Sequence, residues 1–489
     1  MPSFKQAALL TTAIASLSLT SCTAMGGGAI PGPSAPITTS EAQMGAEAHP
    51  QFLAEFGGTY QGPQSAYVEQ VGKNIAVQSG LGNARESFTV SLLNSSVNNA
   101  FAIPGGYIYA TRQLVGLMNN EAELAGVLGH EVGHVAARHS QRRQSAAQQN
   151  TLLGAAGAIL SGILLGDSGI GNTISKGFLQ GSQLLTLKFS RSQELEADEL
   201  GIQYLNKAGY DPRAMATVLQ SLASQNALDS SLHGNNATVP EWASTHPDPA
   251  SRVQSAFAKA GAASGTTNRD TFLSRIDGMM YGDDPAQGVI EGRQFLHPVF
   301  RLAFTAPTGF YMVNGTRAVS INGESGRAQL STAQYNGNLE TYVRSVFTAI
   351  GGSEQNLAPA NMQRTTVNGI PAAYGTARVN SGSSQVDVTV FAYEFSNNQA
   401  FHFVTIAPAG QSATFNPMFS SMRRITSAEA AAIIPRKIDV VTVARGDTVR
   451  TLANRMAYSA AQEQRFRVLN GLSSTDNVLP GQKVKLVVK

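Results

Sequence analysis

Residues 124–140 read LAGVLGHEVGHVAARHS, an apolar pattern of helical period that carries His130-Glu131-Val132-Gly133-His134 in its middle. On a helix of 3.6 residues per turn, His130 and His134 stand about 40° apart, one turn above the other, so both rings can hold one small cation. Glu131 projects about 100° round from His130. Its carboxylate then lies beside the cation rather than on it, where it can take a proton from a water on the metal. Leu124, Val127, Leu128, Val132 and Val135 give the helix an apolar face, while Gly126, Gly129 and Gly133 let another backbone come close. A buried helix with two satisfied core histidines would carry the same letters, so the rest of the chain has to decide.

At 489 residues the chain exceeds what one core holds, and about two to four domains are expected. Its only cysteine, Cys22, excludes an intrachain disulfide and any cysteine-ligated zinc. Histidine, carboxylate and water must therefore supply a metal shell. A net charge of +3 with no dense Lys/Arg run gives no electrostatic footprint for nucleic acid.

Residues 1–21 read as an export signal: Lys5, a small-to-apolar core over 7–19, then Leu19-Thr20-Ser21-Cys22. That tetrapeptide resembles the lipobox of bacterial lipoproteins, which implies that Cys22 is lipidated and becomes the new N-terminus. The apolar core is too short and too rich in Ser and Thr for a permanent span, so acyl chains on Cys22 would hold the chain at a membrane. Thr23 stands where inner-membrane lipoproteins usually carry aspartate, and this implies the periplasmic face of an outer membrane. Residues 22–39, with a triple glycine and Pro31, Pro33 and Pro36, read as a flexible tether.

Helical periodicity follows around 52–56 and 67–77, and then an alternating run over 88–93. Asn99-Ala100-Phe101-Ala102-Ile103-Pro104-Gly105-Gly106 reads as a strand ended by proline and glycine. An edge strand beside the HExxH helix can hydrogen-bond an extended peptide, which makes Asn99, Ala100, Phe101 and Ala102 candidate substrate contacts. Further on stands Ser190-Arg191-Ser192-Gln193-Glu194-Leu195-Glu196-Ala197-Asp198. Here Glu194 and Asp198 share one helical face and Glu196 points away to solvent. Two histidines and one carboxylate leave an open position on a tetrahedral zinc, the arrangement a hydrolase needs. Ser244-Thr245-His246-Pro247 with Arg252 completes an STHPxxxxR pattern.

NAFAxPGG, HExxH, SRxxExEAD and STHPxxxxR together resemble the HtpX-like and CAAX-prenyl-protease-like zinc metallopeptidases, of gluzincin type, and most of all their soluble periplasmic BepA-like branch. The resemblance runs over residues 42–253. It implies a mainly α-helical zincin-type metallopeptidase domain with a small edge β-sheet over residues 40–260. It also implies one Zn²⁺ per chain held by His130, His134 and Glu194, with Glu131 as general base. Asp198 then accepts the N–H of a ligand histidine and fixes its tautomer. His246 either donates to the oxyanion or occupies the open zinc position when no substrate is bound, and Arg252 either pairs with Asp198 or stabilises developing charge. His139, about 140° round a continued helix from His134, is expected to be packed or solvated rather than a ligand. Residues 151–187 are glycine-rich and apolar. Their letters leave open a lid, a surface dipping into the membrane, or packed helices, and the resemblance implies an active-site cover.

Residues 261–299 read as a linker. Residues 300–425 read as an α+β domain, with alternating runs at 318–321, 385–391 and 400–406, a helix near 339–350, and no catalytic cluster. Residues 438–489 carry GDT at Gly446-Asp447-Thr448, LNGL at 469–472 and LPGQ at 479–482. They resemble a single LysM-like βααβ domain that departs from the common spacing between its helices. Such modules bind N-acetylglucosamine polymers, notably peptidoglycan, which implies contacts at Gly446, Asp447, Thr448, Leu479 and Pro480.

The expected molecule is multidomain: a lipid-anchored zinc endopeptidase of the bacterial cell envelope. By resemblance, its partners are misfolded or stalled outer-membrane proteins or their assembly machinery. The competing readings are a peptidoglycan-anchored chaperone or scaffold with a latent metal site, and a cell-wall hydrolase.

Overall fold

One helix carries the HExxH residues, and most of the N-terminal half is built to bury it. In the computed structural model the described residues are 35–82, 84–143, 189–233, 246, 248–351, 357–381 and 384–489. The export signal, Cys22, most of the tether and residues 151–187 lie outside them. Among the described residues no helix is long and apolar enough to cross a membrane.

Helix α1 (Thr39–Glu55) starts at a reciprocal capping box between Thr38 and Glu41. Helix α2 (Pro63–Ala76) begins with proline, whose missing N–H costs nothing there, and turns Tyr67, Val68, Val71 and Ile75 inward. Strands β1 (Thr89–Leu93), β2 (Ala100–Ile103) and β3 (Tyr107–Thr111) form a sheet of order β1-β3-β2, with β1 parallel and β2 antiparallel to β3. The turn from β2 to β3 passes through Gly105 and Gly106 at φ 87° and 82°, a left-handed pair that a side chain would strain.

A short helix α3 (Arg112–Leu117) leads to α4 (Glu121–Ala136), capped by the Asn120 side chain on the Glu123 N–H. After it come α5 (Arg191–Lys207), α6 (Ala214–His233) and α7 (Pro249–Ala260). Helices α4 and α5 cross backbone to backbone. A Cβ on Gly129 would sit 3.4 Å from the Gly201 Cα, and one on Gly133 3.2 Å from the Ala197 carbonyl oxygen. Glycine keeps that approach uncrowded, a Cβ at Gly133 needing its neighbours to give by a few tenths of an ångström, and the crossing brings the face of α5 bearing Glu194 and Asp198 onto the histidine face of α4.

Residues 261–299 are not a linker, which corrects the sequence expectation. They contain α8 (Arg269–Ile276), whose Phe272, Leu273 and Ile276 are fully buried, and the strands β4 (Val289–Glu291) and β5 (Gln294–His297). The glycines that suggested a connector sit at tight turns instead, Gly278, Gly282, Gly288 and Gly292 all having positive φ. With β6 (Leu302–Thr305), β4 and β5 make an antiparallel sheet that crosses the expected boundary at residue 300.

Strands β7 (Tyr311–Asn314), β8 (Val319–Gly323) and β9 (Gly326–Thr332), helix α9 (Leu339–Gly351), and strands β10 (Asn361–Val367), β11 (Ile370–Ser381), β12 (Ser384–Ser396) and β13 (Gln399–Pro408) follow. The strands form an antiparallel sheet of order β10-β11-β12-β13-β9-β8-β7. Period-two alternation in β12 explains its two cores. Val386, Val388 and Val390 face α9, whereas Phe391, Tyr393 and Phe395 enter an aromatic cluster on the other face. A two-residue strand, β14 (Arg423–Arg424), adds to β6.

The last elements are β15 (Lys437–Thr442), α10 (Val449–Ala453), α11 (Gln462–Leu469) and β16 (Lys483–Val488). Their core is not a separate one. Ile438, Leu452, Phe466, Val484 and Leu486 share one cluster with Leu124, Phe272 and Ile276. At the seam the fully buried Lys485 Nζ donates to the carbonyls of Gly116, Leu117 and Met118 at 2.9, 3.2 and 2.5 Å. It thereby satisfies the orphan acceptors at the end of α3 and balances the negative end of that helix. Burial holds this ammonium well below the usual lysine range, opposed by attraction to Glu123 in the first turn of α4.

Candidate metal centre

Four side chains meet where α4, α5 and the approach to α7 converge: His130, His134, Glu194 and His246, with one donor atom of each within 4.8 Å of all the others. His130 Nε2 lies 3.0 Å from His134 Nε2 and 3.2 Å from His246 Nδ1. Glu194 Oε1 lies 3.5 Å from His134 Nε2 and 3.1 Å from His246 Nδ1, and its Oε2 lies 3.6 Å from His130 Nε2. A tetrahedron with zinc–ligand bonds of about 2.0–2.1 Å has edges of about 3.3 Å. The five separations, from 3.0 to 3.6 Å, bracket such an edge, so nitrogen and oxygen donors of the right number fit a zinc-sized ion.

Hydrogen bonding fixes which nitrogen of His130 faces inward. Its Nδ1 is 2.9 Å from Asp198 Oδ1, which can only accept. The ring proton therefore sits on Nδ1 and the Nε2 lone pair points at the cluster centre. Asp198 is held in turn by Arg252, whose Nη1 also reaches Glu194 Oε2 at 2.6 Å. Arg252 thus pairs with both carboxylates rather than standing over the cluster. Burial works against the Asp198 and Glu194 charges, but the hydrogen bonds and the neighbouring imidazole and guanidinium outweigh it and hold both below the usual carboxylate range.

Glu131 stands beside these donor atoms. It is fully buried, and neither of its carboxylate oxygens has a hydrogen-bond partner among the described residues. His246 Nε2 is 3.5 Å from its Oε1. Burial raises the Glu131 pKa, with His246 and His130 pulling the other way. A buried, unbonded carboxylate next to a cluster of cation ligands suits a proton acceptor for a molecule bound there. For His246, burial disfavours the charge, yet Glu194 and Glu131 more than offset it and raise its pKa.

The expected peptide strand lies close by. β2 is the outer strand of its sheet and pairs with β3. A small, partly open pocket lined by Ala102, Ile103, Pro104, His134 and Val135 lies between it and the end of α4. Ala100, Phe101 and Ala102 are buried. Asn99 is fully buried, and its side-chain amide has no hydrogen-bond partner among the described residues.

Three features escaped the sequence. Phe189 stacks on the His134 ring at 3.9 Å between centroids and 19° between planes. Its only signal was an apolar residue just before the N-cap Ser190. Helix α4 does not continue to His139: Arg138 takes φ 53°, held by Glu41 Oε1 at 3.1 Å and by the Ala35 and Pro36 carbonyls. That reversal carries His139 back beneath His134, where helical-wheel counting could not place it. Glu196, expected to face solvent, is partly exposed but meets His139 Nε2 at 3.2 Å and Arg142 Nη1 at 2.9 Å.

The rim residues Gly446, Asp447, Thr448, Leu479 and Pro480 lie in the β15–α10 and α11–β16 loops of the last module. There Leu479 is 68% exposed, high for a leucine, and a Cβ on Gly446 would meet open space.

Comparison with known proteins gives two family matches. Residues 63–259 match Peptidase family M48, and residues 441–487 match the LysM domain. The chain is 34% identical over 197 residues to the Beta-barrel assembly-enhancing protease of Yersinia pestis, covering 40% of this chain and 38% of that one. The same-named protease of Escherichia coli K12 is 33% identical with the same coverage. The Mitochondrial metalloendopeptidase OMA1 of Schizosaccharomyces pombe is 29% identical over 221 residues, covering 44% of this chain and 59% of that one. The matched part spans well under half of either bacterial relative.

Proposed function

We propose, from the premise that residues 63–259 carry a peptidase family M48 domain and residues 441–487 a LysM domain, that the chain is a zinc-dependent endopeptidase of a bacterial cell envelope. One observation carries the reading: His130, His134 and Glu194 present donors at tetrahedral spacing, with the buried and unbonded carboxylate of Glu131 beside them. Zn²⁺ held by those three residues would lower the pKa of a water and polarise the scissile carbonyl. Glu131 takes the water proton on a carboxylate oxygen and delivers it to the leaving amine, and burial strengthens it as a base. Asp198 holds the His130 ring, and Arg252 neutralises Asp198 and Glu194 without reaching the substrate. The outer edge of β2 aligns an extended peptide as an added strand, with Asn99 offering its amide.

His246 Nδ1 stands at the fourth corner of the tetrahedron, which supports the reading that it occupies the open position at rest. Withdrawn from that corner, it would be free to donate to an oxyanion. The same position favours, as a second reading, a latent centre in a scaffold protein.

By likeness to the bacterial relatives, the proposed substrates are outer-membrane β-barrel proteins or their assembly machinery. Lipidated Cys22 would anchor the chain at the periplasmic face of the outer membrane, and the rim at Gly446 and Leu479 would engage peptidoglycan. Purified wild-type chain and Glu131→Gln are compared on an unfolded β-barrel protein. Cleavage by the wild type alone supports the enzyme, and equal cleavage by both rejects it. Release of fragments from peptidoglycan would point instead to a wall hydrolase.

A further inference from the structure

The two HExxH histidines of the cluster are oriented by different means. His130 leans directly on a carboxylate, Asp198, which is neutralised by Arg252. Behind His134 stands a second imidazole: its Nδ1 is 2.7 Å from His139 Nδ1. We propose that His139 is a positioning residue of the metal centre, fixing the plane and tautomer of His134 with Glu196 as the charge behind it. The inference rests on the zinc reading above.

Proton bookkeeping leaves one arrangement. His134 turns Nε2 to the cluster, 3.0 Å from His130 Nε2 and 3.5 Å from Glu194 Oε1. A neutral ligand imidazole with Nε2 bare carries its proton on Nδ1. His139 Nδ1 must therefore accept, and its own proton sits on Nε2, which faces Glu196 Oε2 at 3.2 Å. Arg142 Nη1 meets the same oxygen at 2.9 Å. The order imidazole, imidazole, carboxylate, guanidinium repeats the His130–Asp198–Arg252 relay with one ring inserted.

The rings have little freedom to leave this order. His139 is fully buried, and the Gln193 side chain donates to its carbonyl at 3.2 Å. Phe189 stacks on His134. The left-handed turn at Arg138 that places His139 costs about 1 kcal/mol for a residue with a side chain, a strain the surrounding contacts must outweigh. Partners outside the ligand set commonly alter metal affinity by about 10–100-fold when removed.

Zinc affinity of the full chain is measured by chelator competition for wild type, His139→Leu, His139→Gln and Glu196→Ala, with melting of the zinc-free forms as the folding check. His139→Leu should bind zinc about 10–100-fold more weakly, and Glu196→Ala about tenfold. His139→Gln, whose amide oxygen can still accept from His134, should recover most of the loss. A folded His139→Leu with wild-type affinity overturns the inference. Should that variant not fold, wild-type affinity in Glu196→Ala overturns it, and weakened affinity there supports it. A wild-type chain that binds no zinc sinks the zinc reading itself, a result distinct from unchanged variants of a zinc-binding parent.

Discussion

Arg252 and Asp198 meet as a two-point ion pair with no water-facing side: Nε lies 2.8 Å from Oδ2 and Nη2 2.5 Å from Oδ1, both residues being buried. The spare arm of the same guanidinium holds Glu194 at 2.6 Å. Two carboxylates one helical turn apart would otherwise repel in a low-dielectric interior, so one cation serves both.

Removing that cation should be costly. Arg252→Leu leaves two buried carboxylates without their partner, and such a broken pair typically costs about 3–5 kcal/mol. Urea unfolding at neutral pH should show the loss. Saturating Zn²⁺ should restore part of it, because an ion held by Glu194 would neutralise that carboxylate. An unchanged unfolding midpoint would refute the electrostatic account.

Glu131→Gln keeps the shape of the side chain but removes the carboxylate proposed as the base. Zinc content should stay at the wild-type level while cleavage of an unfolded protein falls by at least about 100-fold. Parallel zinc analysis and gel assay of both proteins check this. Loss of zinc along with activity would mean that Glu131 supports the ligands rather than the reaction.

Acid should weaken the two sheets that follow residues 63–259, one carrying His297 on β5 and the other His402 on β13, before it affects most carboxylates. His402, bonded to Tyr342 and Ser331, and His297 are each pushed down by burial to about 4. A depressed histidine lets the unfolded chain bind the proton first. Its contribution is therefore complete above about pH 6.5 and is lost as pH falls, fully so below about 4. Each shift is worth about 3 kcal/mol. Urea midpoints at several pH values for wild type and His402→Gln should diverge less steeply with acid in the variant.

Lys485→Met keeps the length of the side chain but strips three carbonyls of their donor. A loss of about 1–3 kcal/mol is expected. Because the LysM residues and the peptidase helices share one core, calorimetry should show those two parts melting together in wild type. An independent LysM transition in the wild-type chain would contradict the shared core.

The sequence foretold what local periodicity controls. The 124–136 helix, the 191–207 helix and their glycine contacts could be read because spacing alone puts His130, His134, Glu194 and Asp198 on usable faces. His139 could not, since counting round a helix presumes that the helix continues, and Arg138 ends it with a backbone turn usually left to glycine. The stretch 261–299 misled because glycine marks a hairpin and a linker alike. Lys485 was not legible for another reason: in KVKLVV it occupies a position that alternation assigns to solvent, and only the end of a distant helix makes it an interior residue.

That buried ammonium also turns the C-terminal module from a pendant into a ruler. Close-packed interiors transmit displacement rather than absorb it. Anything bound at the loops of Gly446 and Leu479 would therefore be kept at a set span from the histidine cluster. A sugar strand held there would determine which stretch of a neighbouring polypeptide comes within reach of Glu131.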